Sequence, residues 1–164
     1  MKLKEKVNAI KDHLTDLLKT QNSYKRAFYQ REAYPMFQNA MAKQFKTSGA
    51  SEKKNWVIRN KEWAEVKKKL KKKDGSAYPG GARPNIFTGR LLGAASGIAS
   101  PEFPGTQRGL KNHRKVITNV LTVTIDLDYA YERDQLNNFS DLSDETQKKF
   151  EKAIRAFWKR EVIK

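Results

Sequence analysis

The sequence predicts an α+β fold in which amphipathic helices flank a small antiparallel sheet with long loops or arms. Three observations predict it. Apolar residues recur at helical spacing near both ends, at Val7, Ile10, Leu14, Leu17 and Leu18 and again at Phe150, Ala153, Ile154, Phe157 and Trp158. One stretch alternates with a period of two, Leu121, Val123, Ile125 and Leu127 against Thr122, Thr124, Asp126 and Asp128. Residues 75–85 and 96–114, rich in Gly and Pro, read as long irregular connections. The 164 residues suit one domain over 1–164, divided into an N-terminal helical extension, 1–34, and a core, 35–164.

The first helix is expected over residues 3–20, with Gln21, Asn22 and Ser23 as punctuation. Pro35 disfavours the α region for Tyr34 and fits the first turn of a new helix, whose buried stripe is Phe37, Ala40, Met41 and Phe45. Thr47 to Ser51 reads as a loop. Asn60 is the expected N-cap of a basic helix carrying Trp63, Val66 and Leu70 on its core face and ending at Asp74-Gly75. Trp56 lies outside any clear stripe and is the candidate interface tryptophan. Thr88 is the expected cap of a short helix presenting Leu91 and Leu92. Lys115 to Thr118 reads as an earlier strand turning at Asn119, or as the same strand with a bulge. Ser143 caps the last helix, with Asp144 and Glu145 in its first turn.

Thirty-four Lys and Arg stand against 18 Asp and Glu, a formal charge of +16. The charge peaks at Lys67, Lys68, Lys69, Lys71, Lys72 and Lys73, broken by Leu70. Such a run attracts polyanions through phosphate contacts that do not read sequence. A solvated helix face is the ordinary alternative. There is no cysteine, which removes disulfides, thiolate metal sites and cysteine nucleophiles. The first eighteen residues lack the apolar run of a signal peptide, and no segment approaches the length of a membrane helix, so a reducing, soluble compartment is expected, with no membrane partner.

No catalytic, cofactor-binding or metal site is expected. His13 and Asp16 are one helical turn apart but lack a nucleophile. His113 reads as a surface loop residue. Asp126 and Asp128 share a strand face and make a divalent-metal nuclease conceivable, although alternating Asp on a solvent face is ordinary. The glycine-rich stretches lack the spacing and preceding strand of a P-loop.

Three segments in order carry a resemblance: Trp63-Ala64-Glu65-Val66 with the lysine run; Ile86-Phe87-Thr88-Gly89-Arg90-Leu91-Leu92; and Asp128-Tyr129-Ala130, followed by a polar loop, Phe139, Leu142, Ser143 and the final helix. Over roughly residues 35–164 the chain resembles the phage virion morphogenesis (tail completion) family of Mu-like tailed phages and its head–tail joining relatives. It departs from that pattern after Ala130, where Tyr131-Glu132-Arg133-Asp134-Gln135 stands without the family's Gly and Pro-Arg pair. The resemblance implies a structural viral protein with no enzymatic activity and no cofactor. It would be made in the host bacterial cytoplasm and work in the neck at the head–tail junction. There it would form a homo-oligomeric ring that joins the DNA-filled head to the tail and contacts other head-completion, neck or tail proteins. On this reading Lys67, Lys68, Lys69, Lys71, Lys72, Lys73, Arg83 and Arg90 form a surface facing packaged DNA or an acidic partner. Tyr78, Phe87, Phe103 and Tyr129 are the expected subunit contacts. The alternative expectation is a sequence-nonspecific nucleic-acid-binding protein.

Overall fold

The computed structural model describes residues 3–57, 61–78, 80–81, 83–86 and 88–161, the side chains of residues 3–10 excepted. The elements in chain order are α1 (Leu3–Phe28), α2 (Tyr34–Lys46), α3 (Lys61–Lys69), α4 (Arg90–Ser96), α5 (Thr106–Leu110), β1 (His113–Ile117), β2 (Leu121–Ile125), α6 (Ala130–Asn137) and α7 (Asp144–Glu161). β1 and β2 form a two-stranded antiparallel sheet, pairing His113 with Ile125 and Ile117 with Leu121. The fold is α+β, and the earlier strand exists as a hairpin partner turning through Thr118–Val120.

No break separates the N-terminal helices. The helix runs past Gln21–Ser23, because nothing in those residues forbids helical geometry, and α1 joins α2 through a π-helical turn, Tyr29–Ala33. Tyr34 is itself helical, at φ −66° and ψ −47°, contrary to the expectation set by Pro35. Proline lacks an N–H and crowds the carbonyl four residues back. The Tyr34 N–H reaches the carbonyl of Tyr29, one residue farther than α spacing, so the widened turn accommodates the ring without a kinked break.

The main core joins Met41 and Phe45 of α2 to Trp56, Ile86, Leu91, Leu92, Phe103, Leu127 and Phe139. Trp56 is 7% exposed and packs edge-on to Phe45, with ring centroids 5.0 Å apart, so it is a core residue and not an interface anchor. Trp63 is the exposed one, at 48%, with Val66 and Leu70 also exposed. The reason is a small rotation of α3: Ala64 is the residue it buries, and Lys67, three residues on, follows it toward the body. α3 stops at Lys69, short of Asp74; Lys71 and Ala77 then bridge across a tight turn in which the Lys72 N–H donates to the Ser76 carbonyl. The expected cap, Asn60, lies outside the described residues.

The stretch 96–114 is not an arm. It contains α5, packed closely on α4 through glycines. A Cβ on Gly93 would fall 2.3 Å from the Thr106 carbonyl oxygen, and one on Gly109 would fall 2.0 Å from that of Arg90. The two helices therefore touch backbone to backbone, and all of Leu91 to Ser96 is buried. Phe103 closes the turn between them with no exposed surface, which corrects its reading as a subunit contact. α4 begins after Gly89, at φ +92°, and the Thr88 hydroxyl is 3.4 Å from the Arg90 N–H, too far for a strong cap.

A second cluster packs α7 on the N-terminal helix, with Phe157 edge-on to Phe28 and Ala33 buried beside them. Ser143 stands at the expected cap position of α7, but its hydroxyl is 3.4 Å from the Thr146 N–H, as long a contact as that of Thr88; its N–H and hydroxyl donate instead to the Glu52 carboxylate at 2.9 and 2.7 Å. His113 is a core clamp, not a surface residue. Its Nδ1 lies 2.7 Å from the Ala94 carbonyl, which can only accept, so Nδ1 carries the proton and Nε2 accepts from the Tyr34 hydroxyl at 2.9 Å. No helix among the described residues is long and apolar enough to cross a membrane.

Candidate polyanion-binding surface

Each basic residue of interest is held by a different local device. α3 is short, with Glu62 in its first turn and Lys67, Lys68 and Lys69 in its last, an order that suits the helix dipole. Lys68 pairs with Glu65 at 2.6 Å, both side chains more than half exposed, so this contact orients more than it stabilises. Lys69, Lys71 and Lys73 are exposed, and Lys72 is half-buried on the turn that follows.

Lys67 differs from the rest of the run. Burial lowers its ammonium pKa, and the nearby Arg133 guanidinium lowers it further. Arg133 sits on α6, where its N–H donates to the Tyr129 carbonyl. Tyr129 is 39% exposed; burial raises its phenol pKa, and the positive charges of Arg90 and Arg133 oppose that rise. Lys67 thus lies within electrostatic reach of Arg133, and Tyr129 within reach of Arg133 and Arg90, although these residues come from α3, α6, the residue preceding α6, and α4. Arg90 also reaches Asn112 Oδ1 at 3.4 Å.

On the same turn, Lys72 lines a cleft of about 470 Å³ together with Asp74, Tyr78, Thr88, Gly105 and Arg108. Tyr78 is half-buried in this wall. Arg83 stands apart in an exposed ion pair with Glu102 at 3.8 Å. Phe87 lies outside the described residues. The structure therefore brings Arg90 to Tyr129, Lys67 to Arg133, and Lys72 to Tyr78, and leaves Phe103 in the core.

Arg133 and Arg108 were not legible as site residues. Arg133 is four residues after Tyr129, a helical neighbour spacing, and that was the available signal. Arg108 lies in a stretch read as irregular, so no face could be assigned to it. Trp63 adds a further element, because an exposed indole among lysines can stack on bases or on a partner's apolar groups.

The carboxylates are dispersed. Asp126 pairs with Arg114 at 3.9 Å, Asp16 pairs with Lys19, and no group of three or more His, Cys, Asp or Glu among the described residues is placed to hold a metal ion. What the surface can do chemically is present cations and a few aromatic edges to an anionic partner. Set beside known proteins, the chain matches no family model, no curated protein and no solved structure.

Proposed function

We propose that the protein is a structural component of a phage neck, a subunit of a homo-oligomeric ring that joins the DNA-filled head to the tail. One observation carries this reading. The three segments of the family resemblance, distant in sequence, supply Lys67, Arg90 and Tyr129 to a series of electrostatic contacts in which Arg133 links Lys67 to Tyr129, and Tyr129 meets Arg90. A shared working surface gives a physical reason for the three segments to occur together in one chain. The chain works by assembly and not by catalysis, meeting packaged DNA through the phosphate backbone or meeting an acidic neck protein. The test is electron microscopy of lysates from a host strain with this gene inactivated, beside the complemented strain. Full heads lying apart from finished tails, restored to joined particles by complementation, are the expected result. Intact infectious particles without the protein overturn the reading.

The exposed Trp63 beside the lysine run favours a second reading, sequence-nonspecific binding of nucleic acid by the isolated subunit. Micromolar affinity for duplex at physiological salt, falling steeply as salt rises, belongs to that reading; a subunit that engages DNA only in the ring binds negligibly alone.

A further inference from the structure

The middle of α1 carries apolar side chains that the body of the protein does not cover. Leu14, Leu17 and Leu18 are 55%, 52% and 60% exposed. Farther along the same helix, Tyr24 and Phe28 lie against α7. The spacing along the helix is regular. Leu3, Val7, Ile10, Leu14, Leu17, Gln21, Tyr24 and Phe28 follow alternating steps of four and three, the a and d positions of a heptad repeat. The seam is therefore filled by α7 at Tyr24 and Phe28 and uncovered at Leu14 and Leu17.

Charge along this seam is asymmetric. With Leu14 at a and Leu17 at d, the flanking e and g positions from residue 4 to residue 20 are Lys4, Lys6, Lys11, His13, Leu18 and Thr20, three of them lysines and none acidic. The acidic residues of the same stretch, Glu5, Asp12 and Asp16, fall at f and c, on the far side of the helix. Flanking positions set partner choice in paired helices through charge. A second copy of α1 would place Lys6 beside Lys11 in a parallel pair, which matches g with e, and lysine beside lysine or His13 in an antiparallel pair, which matches e with e and g with g; neither arrangement supplies an acidic partner. The seam is complementary to a helix with an apolar stripe and acidic flanks.

We propose that α1 ahead of Tyr24 is a docking helix for an acidic amphipathic helix of a partner protein, paired along the heptad register from Leu3 to Gln21 and seated on the uncovered Leu14 and Leu17. At about 1.5 Å per residue this seam is roughly 27 Å long, enough for two to three heptads of contact. The surface is distinct from the lysine run of α3, and its role stands whether or not that run meets DNA.

The test uses the full chain and a synthetic peptide of about three heptads with Leu at a and d and Glu at e and g. Fluorescence anisotropy is expected to show micromolar binding that weakens with salt. Two companion peptides, one with Lys in place of the Glu residues and one with Ser in place of the Leu residues, are expected to bind at least tenfold more weakly. The double variant Leu14→Gln, Leu17→Gln removes apolar surface without changing charge. Both positions are exposed, so its melting temperature should stay at the wild-type value while peptide affinity falls at least tenfold. Equal binding of the Lys peptide, equal binding of the Ser peptide, or undiminished affinity of the double variant overturns the proposal. So does a homodimer in sedimentation that the double variant abolishes, if the Glu peptide does not bind.

Discussion

Glu52 shows how one side chain can tie distant parts of a chain together. It is 5% exposed, and its carboxylate accepts from the Ser143 N–H, the Ser143 hydroxyl and the Thr146 hydroxyl at 2.9, 2.7 and 2.9 Å. Burial raises its pKa, but these hydrogen bonds and the positive charge of Lys54 outweigh that effect and hold the pKa below the usual carboxylate value. The negative charge also sits at the N-terminus of α7, where the helix dipole favours it. Because the folded value is lowered, the stabilisation is fully present above the unfolded value of about 4.3 and is lost as pH falls through the folded value. Glu52→Gln should cost about 1.5–3 kcal/mol at pH 7, the scale of hydrogen bonds to a charged group. In urea melts the gap between wild type and variant should narrow on acidification to pH 3; a gap of equal size at both pH values would count against this account. Sequence reading found Ser143 at the cap position but not its acceptor, which lies ninety-one residues away.

At the scale of elements, the α4–α5 hairpin is where sequence reading and structure part most. The residues that mark 96–114 as irregular, its glycines and prolines, are also what allow two short helices to touch. Gly93 opposes Thr106, Gly105 opposes Thr88, and Gly109 opposes Arg90, each at a distance that leaves no room for a methyl group. In an exposed helix, Gly→Ala would stabilise by about 1 kcal/mol. At Gly93 the sign reverses, because the new Cβ meets backbone and the helices must separate. Gly93→Ala should therefore destabilise by about 2–3 kcal/mol, the range of overpacked cores, read as a fall in the urea midpoint. A midpoint that rises would show that α4 tolerates the shift. The spacing Gly89, Gly93 and Gly105, Gly109, small residues four apart, was the available signal for this packing. The N-terminal helix teaches the opposite lesson. Its apolar period is plain in the sequence, yet its continuation through Pro35 depends on a π turn that no residue type announces.

At the scale of the molecule, the excess positive charge lies mainly outside the core and so remains available to partners. Replacing Lys67, Lys68, Lys69, Lys71, Lys72 and Lys73 with Gln should barely alter stability, since exposed substitutions change it by about half a kcal/mol or less. Lys67 and Lys72 are half-buried, so any loss should trace to them. If the assembled protein meets DNA through this surface, the six-lysine variant should bind duplex more weakly and with a shallower dependence on salt. An unchanged slope would assign the surface to a protein partner.

Sequence alone determined the class of the fold, the amphipathic faces of α2 and α7, the alternating strand and the position of the charge, because each depends on a local period or a count. It could also mark the chemistry of a basic surface. Only the tertiary structure decided which tryptophan is buried, since the local pattern set Trp63 on a helix stripe and Trp56 outside one, whereas the core volume is filled by Phe45, Trp56 and Phe139. Likewise, only packing could bring Lys67 to Arg133 and Arg90 to Tyr129, or set Phe103 inside. Those contacts join segments that sequence separation leaves independent, and shape complementarity between elements chooses among them.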